Sequence, residues 1–534
     1  MTLKRKIALL LALLLLFTAS AACSKDEVKV LSFAVPNTAG SFDPQVARDV
    51  TARIIVRNCF EGLVYTAEDG TAEPGMAKSW EISEDGRVYT FHLRAGEKWH
   101  LTTNAAEELE GKLPAGFAPA VTASDFVFAL QRAVDPATAG PDAGLLSNVE
   151  NAEAIMNGEA APETLGAEAP DDTTLRVTLA HPQADFLRVL SEPLCMPCNR
   201  TFFEATGGRY GLLIKYSLMN GPFYLSRFDE NSYRVAKNPD YRGSHVSDAD
   251  IIWFYRQAEE KTLFSSLHVG DYDGSYLTAL QVDALQPGKD CTLLPLHDIL
   301  RCILVNPKNE TLSNDHLRAA FFAAADIATL CAECGKQPAV RLAPSGVWNG
   351  ATAYRLTLNA ATAATELKKG LDEIGADTVK FTLLCEEAYE YALRKQLQDW
   401  QKTLGVGMNV GIVSIPAEEL QNRLKTGDYE MIFAPVTAYS ASPYLWFSVF
   451  TAGGKNSVLP MESNAFDKAK EALLQADEED MTSAYATAEA TLIARHTVLP
   501  VWEESNYFLC TEGVSGVRVL PGSDRLYLFA ARED

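Results

Sequence analysis

The chain has 534 residues, 47% of them hydrophobic and 22% charged, and a formal net charge of −23. This length and composition suit two or three globular domains. The acidic balance argues against nucleic acid or an anionic lipid surface as a partner.

Lys4, Arg5 and Lys6 precede an apolar run from Ile7 to Phe17, then small residues up to Cys23. Residues 1–22 therefore read as a secretory signal peptide, too short in its apolar part to span a membrane comfortably. Val28 to Pro36 reads as a strand, followed by a turn, a loop and an apolar helix up to Tyr65. Ile82 and Val88 flank a Glu-Asp-Gly turn and mark a hairpin. The polar, Gly- and Pro-bearing stretch from Leu101 to Ala120 suggests a surface loop. Phe126, Leu130 and Val134 fall at helical spacing before Pro136. Residues 157–172 are expected to form a soft acidic loop region.

From Val379 onward the pattern is clearest. The segment VKFTLLC is a buried strand. A helix with Leu393, Leu397, Trp400 and Leu404 on one stripe comes next and stops at Gly405. GMNVGIVSI is a second strand, a helix from Pro416 ends at Gly427, and DYEMIFAP is a third strand. Such alternation predicts a parallel sheet with helices on its faces, whose ligands bind beyond the carboxyl ends of the strands. The run from Met431 to Gly454 holds no charged residue. Pro435 and Pro443 exclude a membrane helix there. Met431 to Ala434 is expected to be core, and the residues after Pro435 are expected to wall a cleft.

No GxSxG, HExxH, Walker or dinucleotide glycine motif occurs, and the eight histidines form no i,i+4 pair. No catalytic residue, cofactor or metal site is nominated. Nine cysteines come after Cys23, including Cys195/Cys198 and Cys331/Cys334 at CxxC spacing. The two pairs are about 130 residues apart, far beyond zinc-ribbon spacing. Buried hydrophobes or local disulfides are the alternatives to a metal.

The segments PGMAKSWEISEDGRVYTFHLRAGEKWH, VTASDFVFALQRAVDP, NGPFYLSRF, AKNPDYRG, LVNPKNETLSNDHLRAAFFAAAD, TLGVGMNVGIV, FDKAKEAL and LPVWEESNYFL occur in this order. Together the chain resembles the family-5 extracellular solute-binding proteins, receptors of oligopeptide-type ABC importers. The resemblance implies an α/β, two-lobed, type II periplasmic-binding-protein-like fold with an extra domain on the first lobe. The implied divisions are 23–66 and 181–290 for lobe I, 67–180 for the extra domain, 291–497 for lobe II and 498–534 for the return to lobe I.

By the same resemblance, two segments would give strand-like backbone contacts to an extended peptide: Asp49, Val50, Thr51 and Ala52, and Pro435, Val436, Thr437 and Ala438. Peptide-binding relatives carry after the second segment an Asp that pairs with the peptide amine; this chain has Tyr439 there, then Ser440. Asp49 is one candidate for the missing charge. Tyr439, Tyr444, Trp446 and Phe447 could offer stacking faces, with core packing the alternative for Trp446 and Phe447. Cys23 resembles the acylated cysteine of bacterial lipoproteins; cleavage after the Ala19-Ser20-Ala21 pattern, giving a free secreted protein, is the alternative. The implied protein is a monomeric, lipid-anchored receptor on the outer face of the cell membrane, in the periplasm where there is an outer membrane. It would bind an oligopeptide and an ABC permease. A non-peptide solute is the second reading and a secreted hydrolase the remote one.

Overall fold

The computed structural model of the protein describes residues 28–533 except 37–38, 68–70, 184, 353, 355–358, 406, 439, 453–456, 460, 477–478 and 523. The signal segment and Cys23 lie outside the described residues. The strands of the two large sheets are, in chain order, β1 (Val30–Val35), β2 (Phe223–Phe228), β3 (Ser232–Lys237), β4 (Ile251–Arg256), β5 (Gly274–Leu277), β6 (Thr292–Pro295), β7 (Ile299–Val305), β8 (Val379–Cys385), β9 (Met408–Ser414), β10 (Met431–Thr437), β11 (Val498–Glu504) and β12 (Tyr507–Cys510). The lobe I sheet runs β6-β12-β5-β1-β4-β3-β2 and the lobe II sheet β9-β8-β10-β7-β11.

The lobe II sheet is dictated by its sequence. β8 alternates buried and exposed side chains, so one face packs and the other is half-covered. The helix Glu387–Leu404 buries Leu393, Trp400 and Leu404. Gly427 ends the helix Ala417–Thr426 in the left-handed region at φ 69°, where a side chain would be strained. β8 pairs in parallel with β9 and β10, as the strand–helix–strand pattern predicts. β7 and β11 add antiparallel partners beyond β10.

The strands Ala77–Ile82, Val88–Leu93, Ala167–Asp171 and Thr174–Thr178 form a four-stranded antiparallel sheet beside the helix Ala123–Val134. Its core residues Phe91, Phe126 and Val177 are continuous with Phe33 and Ile54 of lobe I, so the extra sheet is fused to that lobe. The stretch expected as a plain surface loop contains a helix, Thr103–Glu108, because the Thr102 side chain caps it by accepting from Ala105 N.

Two boundaries differ from expectation. β6 belongs to the lobe I sheet and β11 to the lobe II sheet. The chain therefore changes lobe at 296–298 and 505–506, not at 291 and 498. The two crossings lie side by side: the buried Asp298 carboxylate accepts from Asn506 N and Nδ2, each at 3.0 Å, and Leu296 N donates to Asn506 O at 2.9 Å.

Candidate functional site

β10 serves two cores. Met431 and Phe433 pack on one face of the sheet, and Ile432, Ala434, Val436 and Ala438 on the other. Along its whole length β10 pairs with β7, but β8 accompanies it only at Met431 and Ile432. Ala438 N donates to Asp298 O at 2.7 Å. Because antiparallel strands alternate their hydrogen-bonding edges, the main-chain groups of Pro435 and Thr437 turn to the opposite edge, which β8 leaves uncovered. Pro435 fits there because it has no N–H to lose from the β7 ladder. Pro435 and Thr437 are half-buried, while their even-numbered neighbours are buried.

Beyond this edge a cavity of about 600 Å³ lies between the lobes. Thr437, Ala438, Ser440, Tyr444 and Trp446 line it from lobe II, and Asp135, Asp142 and Gly144 from the fused first lobe. Trp446 is almost fully enclosed, and its Nε1 donates to Leu342 O at 2.6 Å. Trp446 and Phe447 are thus core residues of lobe II, with Trp446 also backing the cavity. Tyr439 lies outside the described residues.

The first predicted segment does not take the expected form. Val50, Thr51 and Ala52 are the first turn of the helix Val50–Cys59, capped by Asp49. Ala52 N and Arg53 N are spent on Asp49 Oδ1 and Asp49 O, so these two donors are not offered to an extended ligand. The Asp49 carboxylate also braces the chain on either side of it. Its Oδ1 accepts from Ala52 N at 2.7 Å and its Oδ2 from Gly40 N at 2.9 Å.

The same helix carries the main electrostatic feature of the interlobe space. Arg53 and Arg57, one turn apart, enter a buried cluster with Arg525, Glu192, Asp524 and Asp142. Arg57 Nη2 lies 2.6 Å from Glu192 Oε2 and 3.2 Å from Asp524 Oδ1. Arg53 binds Asp142 and Asp524. Burial alone would raise the Glu192 carboxyl, but Arg525, Arg57 and Arg53 hold it below its ordinary range. Lobe II reaches this cluster through Ser440, whose Oγ donates to Glu192 Oε1 at 3.0 Å. Sequence reasoning named Ser440 but missed Glu192, Asp142 and the arginines. The pair of arginines at i,i+4 in an otherwise apolar helix was the signal for them.

At the lobe crossings, burial pushes the Asp298 carboxyl up to about 6 despite its bonds from Asn506. Nearby, Ser345 Oγ donates to Glu503 and lies 3.4 Å from His297 Nδ1. The carboxylate here tethers the serine rather than orienting the imidazole, which is not the order that activates a nucleophile. Cys195 and Cys198 lie in the lobe I core and Cys331 in a lobe II core. No disulfide and no cluster of three or more metal-ligating side chains occurs among the described residues. No helix among them is long and apolar enough to cross a membrane.

Two lobes joined by paired crossings, with a cavity and an open strand edge between them, form the architecture in which hinge closure buries a ligand. The sequence profile described as bacterial extracellular solute-binding proteins, family 5 Middle, matches residues 71–457. The chain belongs to this family. It is 25% identical to the dipeptide-binding protein of Lactococcus lactis over 92% of each chain. It is 34% identical to the probable deoxycholate-binding periplasmic protein YgiS of Escherichia coli, over 46% of this chain and 44% of that protein. The solved structure of Listeria monocytogenes OppA bound to peptide superposes with a TM-score of 0.73 at 22% identity, covering 95% of this chain and 99% of that one.

Proposed function

We propose that the protein captures a peptide-like solute between its lobes and hands it to the permease of an ABC importer. The observation that carries this reading is the uncovered edge of β10 at Pro435 and Thr437, beside the interlobe cavity. A strand edge binds an extended peptide through main-chain hydrogen bonds and tolerates varied side chains. The family and the dipeptide-binding relative support it. Acylation of Cys23 would hold the receptor at the outer face of the membrane, since two or more lipid chains anchor stably. Labelling with a fatty-acid analogue, lost in Cys23→Ser, is the expected result.

The peptide reading is tested by calorimetry of the mature protein with a tetrapeptide pool and with the same pool N-acetylated. Without an acid at position 439, the parent should discriminate little between them, and Tyr439→Asp should gain preference for the free amine. Failure of every peptide to bind overturns the reading. The second reading, a non-peptide solute, is favoured by Tyr439 in place of the acid and by the partial match to the deoxycholate-binding relative.

A further inference from the structure

A second gap of about 490 Å³ opens between the lobes on the other side of the Ser440–Tyr444 turn. Lobe I supplies Asp185, Leu187 and Arg188, and lobe II supplies Trp348, Pro443 and Met481. Most of this lining is apolar. Trp348 is fixed by stacking on Tyr485, with centroids 4.5 Å apart and planes within 12°.

Arg188 differs from the other arginines of this region. Arg53, Arg57 and Arg525 share three carboxylates, Glu192, Asp524 and Asp142, so that cluster is balanced without it. Arg188 is half-buried, and its guanidinium makes one long hydrogen bond among the described residues, from Nη1 to Ala441 O at 3.4 Å. No carboxylate among the described residues comes within ion-pair distance of it. Asp185, one turn before, is instead engaged by Gln183 Nε2 at 2.8 Å. Desolvation keeps the Arg188 guanidinium below its ordinary basicity even with Asp185 raising it, as expected of a cation short of compensation. A guanidinium offers a planar fork of donors that matches a carboxylate in two places.

We infer that this gap is an anion subsite, in which Arg188 takes the carboxylate of a solute whose apolar body lies against Leu187, Trp348 and Met481. The inference rests on the reading of the interlobe space as the solute site and narrows it to acids. Pocket size and apolar walls with one placed charge are the usual make-up of a small-molecule site.

The test uses the full mature protein and two probe series in calorimetry. One is a tetrapeptide pool with free C-terminal carboxylates against the same pool amidated. The other is deoxycholate against its uncharged carboxamide. The parent should bind the acid roughly tenfold or more tightly in at least one series, the worth of a charged hydrogen-bond pair. Arg188→Gln should erase that preference and Arg188→Lys keep part of it. Ligand-free Arg188→Gln should melt no lower than the parent, which separates lost recognition from lost folding. Equal binding of acid and neutral probes by the parent, or a preference that survives Arg188→Gln, overturns the inference. Peptides that bind regardless of amidation, with no acid preference in the deoxycholate series, would leave the peptide reading standing and remove this one. An acid preference with deoxycholate while no peptide binds would do the reverse, and no binding in either series removes both.

Discussion

On lobe I, the wall of the interlobe space rests on six buried charges; on lobe II, the strand and turn from Met431 to Ser442 carry none. Ser440 joins the two by donating its hydroxyl to Glu192. The charged wall is spent on itself, with three guanidiniums facing three carboxylates. It fixes the helix Val50–Cys59 against residues 142, 192 and 524–525, far apart in the chain. The uncharged wall has an edge at Pro435 and Thr437 that β8 does not pair. A braced wall on one side and an uncovered strand edge on the other is a division of labour suited to holding varied solutes in one place.

The comparison is broken most severely from the charged side. Arg57→Met should cost about 3–5 kcal/mol in denaturant unfolding, because Glu192 and Asp524 would stay buried with less compensation. The next effect concerns the crossings. Asp298 has a carboxyl raised in the folded state to about 6, against about 4 when unfolded. The folded protein therefore holds this proton more tightly, and stability from this group falls as pH rises from about 4 to about 6. Asp298→Asn should remove that slope, so that parent and variant stabilities diverge by about 2–3 kcal/mol across the interval. Urea unfolding at several pH values checks it; parallel profiles would refute it. Ser440→Ala removes a donor to a charged acceptor across the lobes and should favour the open form by about 1–2 kcal/mol. X-ray scattering of the ligand-free protein should show a larger radius of gyration. The smallest effect sharpens the uncharged side. Thr437→Pro should weaken peptide binding about three- to tenfold at unchanged stability, the worth of one neutral hydrogen bond. Ala438→Pro should instead lower stability, because Ala438 N bonds Asp298 O.

The uncharged wall was legible in the sequence and the charged one was not. β10 announces itself through a buried run flanked by helices with clear stripes and glycine stops, all set within about 60 residues. The charged cluster joins residues 53, 57, 142, 192, 524 and 525. No local pattern encodes such pairings, because burial by distant segments decides them. The Asp49–Ala52 segment misled for a local reason. Asp49 is a favourable N-cap, and once it caps, the next residues are committed to helix. The lobe boundaries were missed because β6 and β11 are ordinary strands whose sheet membership depends on partners elsewhere.

Lobe II is one uninterrupted insertion, from Ile299 to Glu504, whose two ends are register partners in adjacent strands. Every strand of its sheet is therefore present once Glu504 is made. Lobe I is then still incomplete, because β12 sits inside its sheet between β6 and β5. A growing chain stopped anywhere before Tyr507 lacks that strand and leaves an open slot among hydrophobic neighbours. Completion of lobe I thus waits for residues 507–510, and removing that strand should cripple lobe I while sparing lobe II.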